Sequence, residues 1–285
     1  MIMLNKLFEH TSSDWAKYSK YEIKEQDGIR YIAPAFDAQV ITYNPLKTGA
    51  TIMLDALNTG RALYDKAVSD DAKTELLMSF VHAYGLLGFM ANLPLNGNFM
   101  ECDNAYLGQN LYFDDEMMST ADFVKLFTPF GLKKEKHNPL APLSAKDRAL
   151  GIVFSRDYAE RYMWVFSFLM KFYLHFATCK MCELEENPIS KGGYANSVAL
   201  FKEHNIGLKL EMRDRTTLVW DFNSLKMLIE TIYAVSITRV DTPLRMCKHC
   251  GAAFYASHGR SEFCGDRCRN QYNVYRFRER EKGKK

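Results

Sequence analysis

Four cysteines near the C-terminus constrain this chain most. They read Cys247-Lys-His-Cys250, then thirteen residues, then Cys264-Gly-Asp-Arg-Cys268. Two close pairs, C-x2-C and C-x3-C, put four thiols within reach of one point if the intervening residues fold back. Gly251 follows the first pair and permits a tight turn beneath a metal. The second pair is spaced i, i+4, which predicts both sulfurs on one face of a helix. A tight knuckle and a helical pair together suit a tetrahedral zinc ion held by Cys247, Cys250, Cys264 and Cys268. The plainer alternative is four free or disulfide-bonded cysteines. Met1 to His10 shows no basic region followed by an apolar run, so no secretory leader is expected. Seven cysteines without a leader point to a reducing cytoplasm, where such spacing favours metal over disulfides.

The pattern runs on as Cys247-x2-Cys250-Gly251-x2-Phe254, then Phe263-Cys264-x3-Cys268-Arg269-Asn270, then a helix rich in Tyr and Arg. It resembles the treble-clef-like CGNR zinc fingers that close a group of bacterial transcription regulators, where a helical N-terminal domain precedes the finger. The resemblance spans roughly residues 243–280. It departs from the family where Cys268-Arg269-Asn270 stands in place of the usual Cys-Gly-Asn-Arg. The Phe-Cys-x3-Cys-Arg run is also similar to half of a MYND-type protein-interaction finger. The expected fold class is therefore α+β. A mostly α-helical body with small β-hairpins spans 1–240, and a treble-clef-like zinc finger spans 241–285. What the resemblance implies is a DNA- or RNA-binding regulator, with the finger as reader and the body as sensor or dimerisation domain.

Charge distribution adds an independent argument. The whole chain carries only +3. From Pro243 to Lys285, eleven Lys/Arg face four Asp/Glu, a balance of +7, which leaves −4 on the preceding 242 residues. A zinc tetrathiolate adds −2, and the terminal module stays basic. An acidic body with a basic module suggests an anionic partner, nucleic acid above all. Projected at about 100° per residue, Cys264, Cys268, Tyr272 and Tyr275 form one stripe, expected to face the metal with Phe254 and Phe263. Beside it run Arg269, Asn273, Arg276 and Arg280, with Arg267, Val274 and Arg278 beyond. A basic stripe carrying an amide suits phosphate contacts and a base edge. The bland alternative is a solvated basic helix, or one that docks on the acidic body.

The rest of the chain reads as scaffold. Tyr21–Ala33 alternates around Asp27-Gly28, a hairpin signal. Pro34 ends it, and Gln39–Tyr43 adds a further strand, while residues 1–20 read as a short helix or loop around Trp15 and Tyr18. Helical spacing starts at Thr51, and Ser69 with Asp70 and Asp71 starts a second helix. Ser119–Asp122 opens a shorter one through Phe127. Leu132–Pro142 reads as a solvated loop. Ser144-Ala-Lys-Asp147 resembles a capping box, so one long helix is expected from Ala145 to about Cys179. Asn187-Pro188 and Gly192-Gly193 are expected to break the chain before a short helix from Tyr194. Leu208–Phe222 reads as a hairpin, Asn223 or Ser224 as the cap of a last body helix, and Glu281–Lys285 as a disordered end. Leu76–Met100 lacks Asp, Glu, Lys and Arg but holds a histidine, several asparagines and a proline, which favours a buried helix over a membrane span.

His175, Cys179 and Cys182 form an i, i+4, i+7 set that could hold a second metal, although partly buried thiols at a helix end are the more ordinary reading. Cys102 stands alone. His249 and His258 lie inside the finger. A zinc-dependent nuclease would need such a histidine as base. No hydrolase, phosphate-loop or dinucleotide signature occurs, so no catalytic residue and no enzyme is expected.

Overall fold

The computed structural model describes residues 15–92, 120–132, 145–198 and 207–282, apart from 213, 215, 223, 242, 257 and 259. Expectations for residues 1–14, the polar end of the 76–100 segment, Cys102, the 133–142 loop and the 199–206 helix end fall outside them.

The chain opens with strands rather than a helix. β1 (Trp15–Tyr18) pairs antiparallel with β4 (Val40–Tyr43), Trp15 opposite Tyr43. Between them β2 (Tyr21–Gln26) and β3 (Ile29–Pro34) form the hairpin. Asp27 and Gly28 both have positive φ, +52° and +74°, as the tight two-residue turn requires. Trp15 and Tyr18 are buried. Their pairing partner lies more than twenty residues away, which corrects the helix-or-loop expectation.

A short 3₁₀ turn leads into α1 (Gly49–Tyr64). Its buried residues Ile52, Met53, Ala56, Leu57, Gly60 and Leu63 follow three- and four-residue steps. α2 (Asp70–Tyr84) is capped by Ser69, whose Oγ accepts from Ala72 N, with Asp70 and Asp71 in the first turn. α3 (Phe89–Asn92) and α4 (Thr120–Phe127) follow.

The single long helix expected from Ala145 is two. α5 (Ala145–Val153) ends, β5 (Glu160–Arg161) adds to β3, and α6 (Tyr162–Leu184) begins. Tertiary hydrogen bonds cause the break. Glu160, fully buried, accepts from the backbone N–H of Leu87, Gly88 and Phe89 and from Tyr158 Oη. Arg156 donates to the carbonyls of Ala35, Phe36 and Ala38. α7 (Pro188–Val198) starts earlier than expected and carries Gly192 and Gly193 inside it. Asn187 Oδ1 accepts from Ile189 N, and proline suits the first helical position.

β6 (Gly207–Met212) and β7 (Thr216–Asp221) form the expected hairpin, with Leu210 69% and Met212 78% exposed and Val219 buried. Ser224 caps α8 (Leu225–Ile237), its Oγ accepting from Met227 N. The C-terminal module consists of β8 (Leu244–Met246), β9 (Ala253–Tyr255) and α9 (Asp266–Lys282). α9 includes Glu281 and Lys282, so the helix continues into the segment expected to be disordered.

The result is a mixed α and small-sheet fold around one main core. α1 and α6 form its spine, crossing so closely that a Cβ on Gly60 would collide with the Leu169 carbonyl. Leu244 and Ala253 of the C-terminal module belong to that same core. Among the described residues, no helix is long and apolar enough to cross a membrane.

Candidate metal centre and the basic helix

The β8–β9 hairpin builds the first half of the centre. Cys247 N donates to Ala252 O and Gly251 N to Cys247 O, both at 2.9 Å. This closes the knuckle, with Gly251 at φ +72°. That φ is unfavourable for a residue with a Cβ. The second half comes from the entry to α9. Lys248 N donates to Glu262 O and Arg245 Nη1 to Ser261 O, which folds the 260s back over the hairpin.

The four sulfurs meet. Cys247, Cys250, Cys264 and Cys268 place their ligand atoms within 4.8 Å of one another, the one such group of His, Cys, Asp and Glu among the described residues. Sγ of Cys250 and Cys264 are 3.7 Å apart, and those of Cys264 and Cys268 3.5 Å apart. A tetrahedral zinc with bonds of about 2.3 Å needs sulfur separations of about 3.8 Å. A disulfide needs about 2.05 Å. The cysteines are free thiols at metal-ligand spacing. Four protein ligands would close the tetrahedron around a bound ion, which is the structural rather than the catalytic arrangement of zinc.

Electrostatics agree with that donor set. Burial pushes the Cys247 thiol up, but the N–H groups of Cys250, Cys264 and His249 outweigh it and bring it down to about 7. Burial drives Cys264 the other way, and hydrogen bonds that keep its proton among the neighbouring sulfurs add to the rise. Four close sulfurs cannot all ionise without a cation between them.

One expectation needs correction here. Cys264 is not on the helix, because α9 starts at Asp266 and Cys264 lies in the bend before it. Gly265 separates them, its carbonyl accepting from Arg269 N at the first turn. The expected stripe is also shorter. Tyr272 packs on Phe263 with ring centroids 5.1 Å apart, but Tyr275 is 55% exposed and stacks on His249 instead.

The arginines stay outside. No residue of α9 is buried, and Arg267, Arg269, Asn273, Arg276, Arg278 and Arg280 are all exposed. Arg269 pairs with Asp266 at 2.9 Å, and the Arg276 guanidinium lies over the Tyr272 ring. His258 sits at the surface, its Nδ1 accepting from Arg260 N at 3.3 Å.

His175 and Cys179 lie together, Nδ1 to Sγ 3.7 Å, beside Tyr233, but Cys182 does not join them as a third ligand. His175 Nδ1 is 2.8 Å from Tyr233 Oη, while Cys182 Sγ faces the Lys191 carbonyl. Burial raises Cys179, which keeps it a thiol. Sequence reasoning missed a different group. Asn58 on α1 makes a two-way bond with Ala253, Nδ2 to O at 3.1 Å and N to Oδ1 at 2.9 Å. Arg61 donates to Cys250 O and Tyr173 to Gly251 O, each at 3.0 Å. Three body side chains thus hold the knuckle. The available signal was two polar residues, Asn58 and Arg61, one turn apart on an otherwise apolar face beside Gly60.

No protein-family model matches this chain, and neither a curated protein nor a solved structure matches it.

Proposed function

We propose that this chain is a zinc-finger nucleic-acid-binding protein, a DNA-binding transcription regulator of the CGNR type, with α9 as reader and the body as sensor or dimerisation part. The observation that carries the reading is the surface of α9. A helix rooted beside four metal-spaced thiols leaves Arg267, Arg269, Arg276, Arg278 and Arg280 in solvent. Bound zinc would fix the direction of that helix and supply no chemistry of its own. Cys247 and Cys250 from the knuckle, with Cys264 and Cys268 from the helix entry, would hold it. Exposed guanidinium groups on a fixed rod suit a phosphate backbone. The treble-clef assignment, the regulator role and a reducing cytoplasmic setting rest on the resemblance and the cysteine usage.

The test is a set of binding isotherms on mixed-sequence DNA at several salt concentrations. Arg276→Ala with Arg280→Ala should weaken binding to all sequences alike and lower the salt slope by about two. Zinc content should not change, because neither arginine touches a sulfur. Unchanged affinity in the double variant favours a MYND-like protein-interaction finger instead.

A further inference from the structure

The geometry points to the major groove of duplex DNA, read at A·T steps, as the ligand of α9. This rests on the nucleic-acid reading above and specifies its target. Measured around the helix axis from Cys268, at about 100° per residue, Cys268, Tyr272 and Tyr275 define the inner side. Arg269, Arg276 and Arg280 lie roughly a quarter turn from it in one direction. Arg267 and Arg278 lie roughly a quarter turn away in the other. Two arginine edges therefore flank an outer face, and that face holds Asn270, Asn273, Val274 and Phe277. Its members are exposed, Val274 by 48% and Phe277 by 66%. Asp266 and Glu281 mark its two ends, and Asp266 is already paired with Arg269.

A single basic stripe would need one phosphate strand. Two opposed stripes need two, one on each side of the helix. A major groove about 12 Å wide offers that, since it admits a helix about 10–12 Å across between two phosphate walls. The outer face would then meet the groove floor. Asparagine amides there can bond adenine N6 and N7 bidentately, and an apolar side chain can rest on the thymine methyl. Asn270 and Asn273 supply the first chemistry, and Val274 and Phe277 the second. The face has no carboxylate in its middle for cytosine N4 and no guanidinium for guanine, and an asparagine amide finds its bidentate donor-and-acceptor pair on adenine alone, which favours A·T over G·C.

Zinc-loaded full-length protein tests this against four probes of roughly 20 nucleotides or base pairs, two helical turns. They are an alternating A·T duplex, the same duplex with uracil for thymine, an alternating G·C duplex and single-stranded oligo-dT. The A·T duplex should bind at least about fivefold tighter than the G·C duplex. Asn270→Ala with Asn273→Ala should erase that preference, and Phe277→Ala should erase any preference for thymine over uracil. Arg267→Ala with Arg278→Ala should lower the salt slope by about two, as should Arg276→Ala with Arg280→Ala on the other edge. Circular dichroism and zinc content check that each variant keeps its fold. Tighter binding to oligo-dT than to any duplex, no A·T preference, or a salt slope that ignores Arg267 and Arg278 overturns this inference and leaves nucleic-acid binding standing. No binding to any probe overturns the proposed function itself.

Discussion

Replacing Asn58 by alanine should weaken the body and the metal centre together. Asn58 Nδ2 and Oδ1 satisfy both backbone groups of Ala253, and Ala253 is 3% exposed. Removing the amide leaves one N–H and one C=O without their partner. A buried group stripped of its bond costs about 1–3 kcal/mol, and Asn58 is only half-buried, so water recovers part of it. The expected loss is about 2–3 kcal/mol. In a chain of 285 residues that lowers Tm by roughly 3–5 °C. Two assays are read side by side. One is thermal melting of the metal-loaded protein. The other is competition for the metal against a coloured chelator, where loss of a supporting hydrogen bond should cost roughly tenfold in affinity. Because coupling between metal and fold is reciprocal, stripping zinc from the wild type should lower the melting of the body, and Asn58→Ala should shrink that effect. A chain ending at Val240 should stay folded yet melt below the full chain, since Asn58, Arg61 and Tyr173 lose their partners. If Asn58→Ala leaves zinc affinity unchanged and the stripped wild type melts like the loaded one, the module and the body are independent. The reasoning then fails.

Other outcomes are expected. Protein purified without added metal should carry one zinc per chain, and Cys264→Ser should lose it, both read by elemental analysis. Gly251→Ala should cost about 1–2 kcal/mol and reduce zinc affinity, because φ +72° disfavours a side chain and the new Cβ would sit 2.9 Å from Tyr173 Oη. Burial pushes the Glu160 carboxyl above its usual range, so the folded chain holds that proton more tightly than the unfolded chain. Its contribution is then greatest at acid pH and falls as pH rises from the usual carboxylate value through the raised one. Denaturant melts between about pH 4 and 7 should show a shallower slope of this sign in Glu160→Gln than in the parent chain.

Elements whose causes are local could be read from the sequence. Ser69 with two aspartates gave the start of α2, Asp27-Gly28 the hairpin, and Ser224 the last body helix. The four thiols converge as their spacing predicts, because the turn at Gly251 and the bend before α9 are short-range features. Elements set by distant partners stayed hidden. β1 exists because β4 lies beside it. The break between α5 and α6 exists because Glu160 and Arg156 bond to backbone segments far upstream. Neither leaves a mark in hydrophobic periodicity. The same holds for the side chains of Asn58, Arg61 and Tyr173, whose role depends on where α1 and α6 cross.

The bond between Asn58 and Ala253 spans 195 positions of chain. At usual rates of synthesis, the ribosome needs roughly 10–40 s to travel that far. Only once Ile237 has emerged can the body hold Asn58, Arg61 and Tyr173 in place, with water standing in for the knuckle until Ala253 follows. Closure must then await residues 244–268, which carry the knuckle and the four thiols, and zinc would enter only after them. A chain that stalls before Pro243 leaves the ribosome with that polar seat open and with the positions that Leu244 and Ala253 would fill left bare. Such a product differs from the finished protein in the surface it presents to chaperones and proteases.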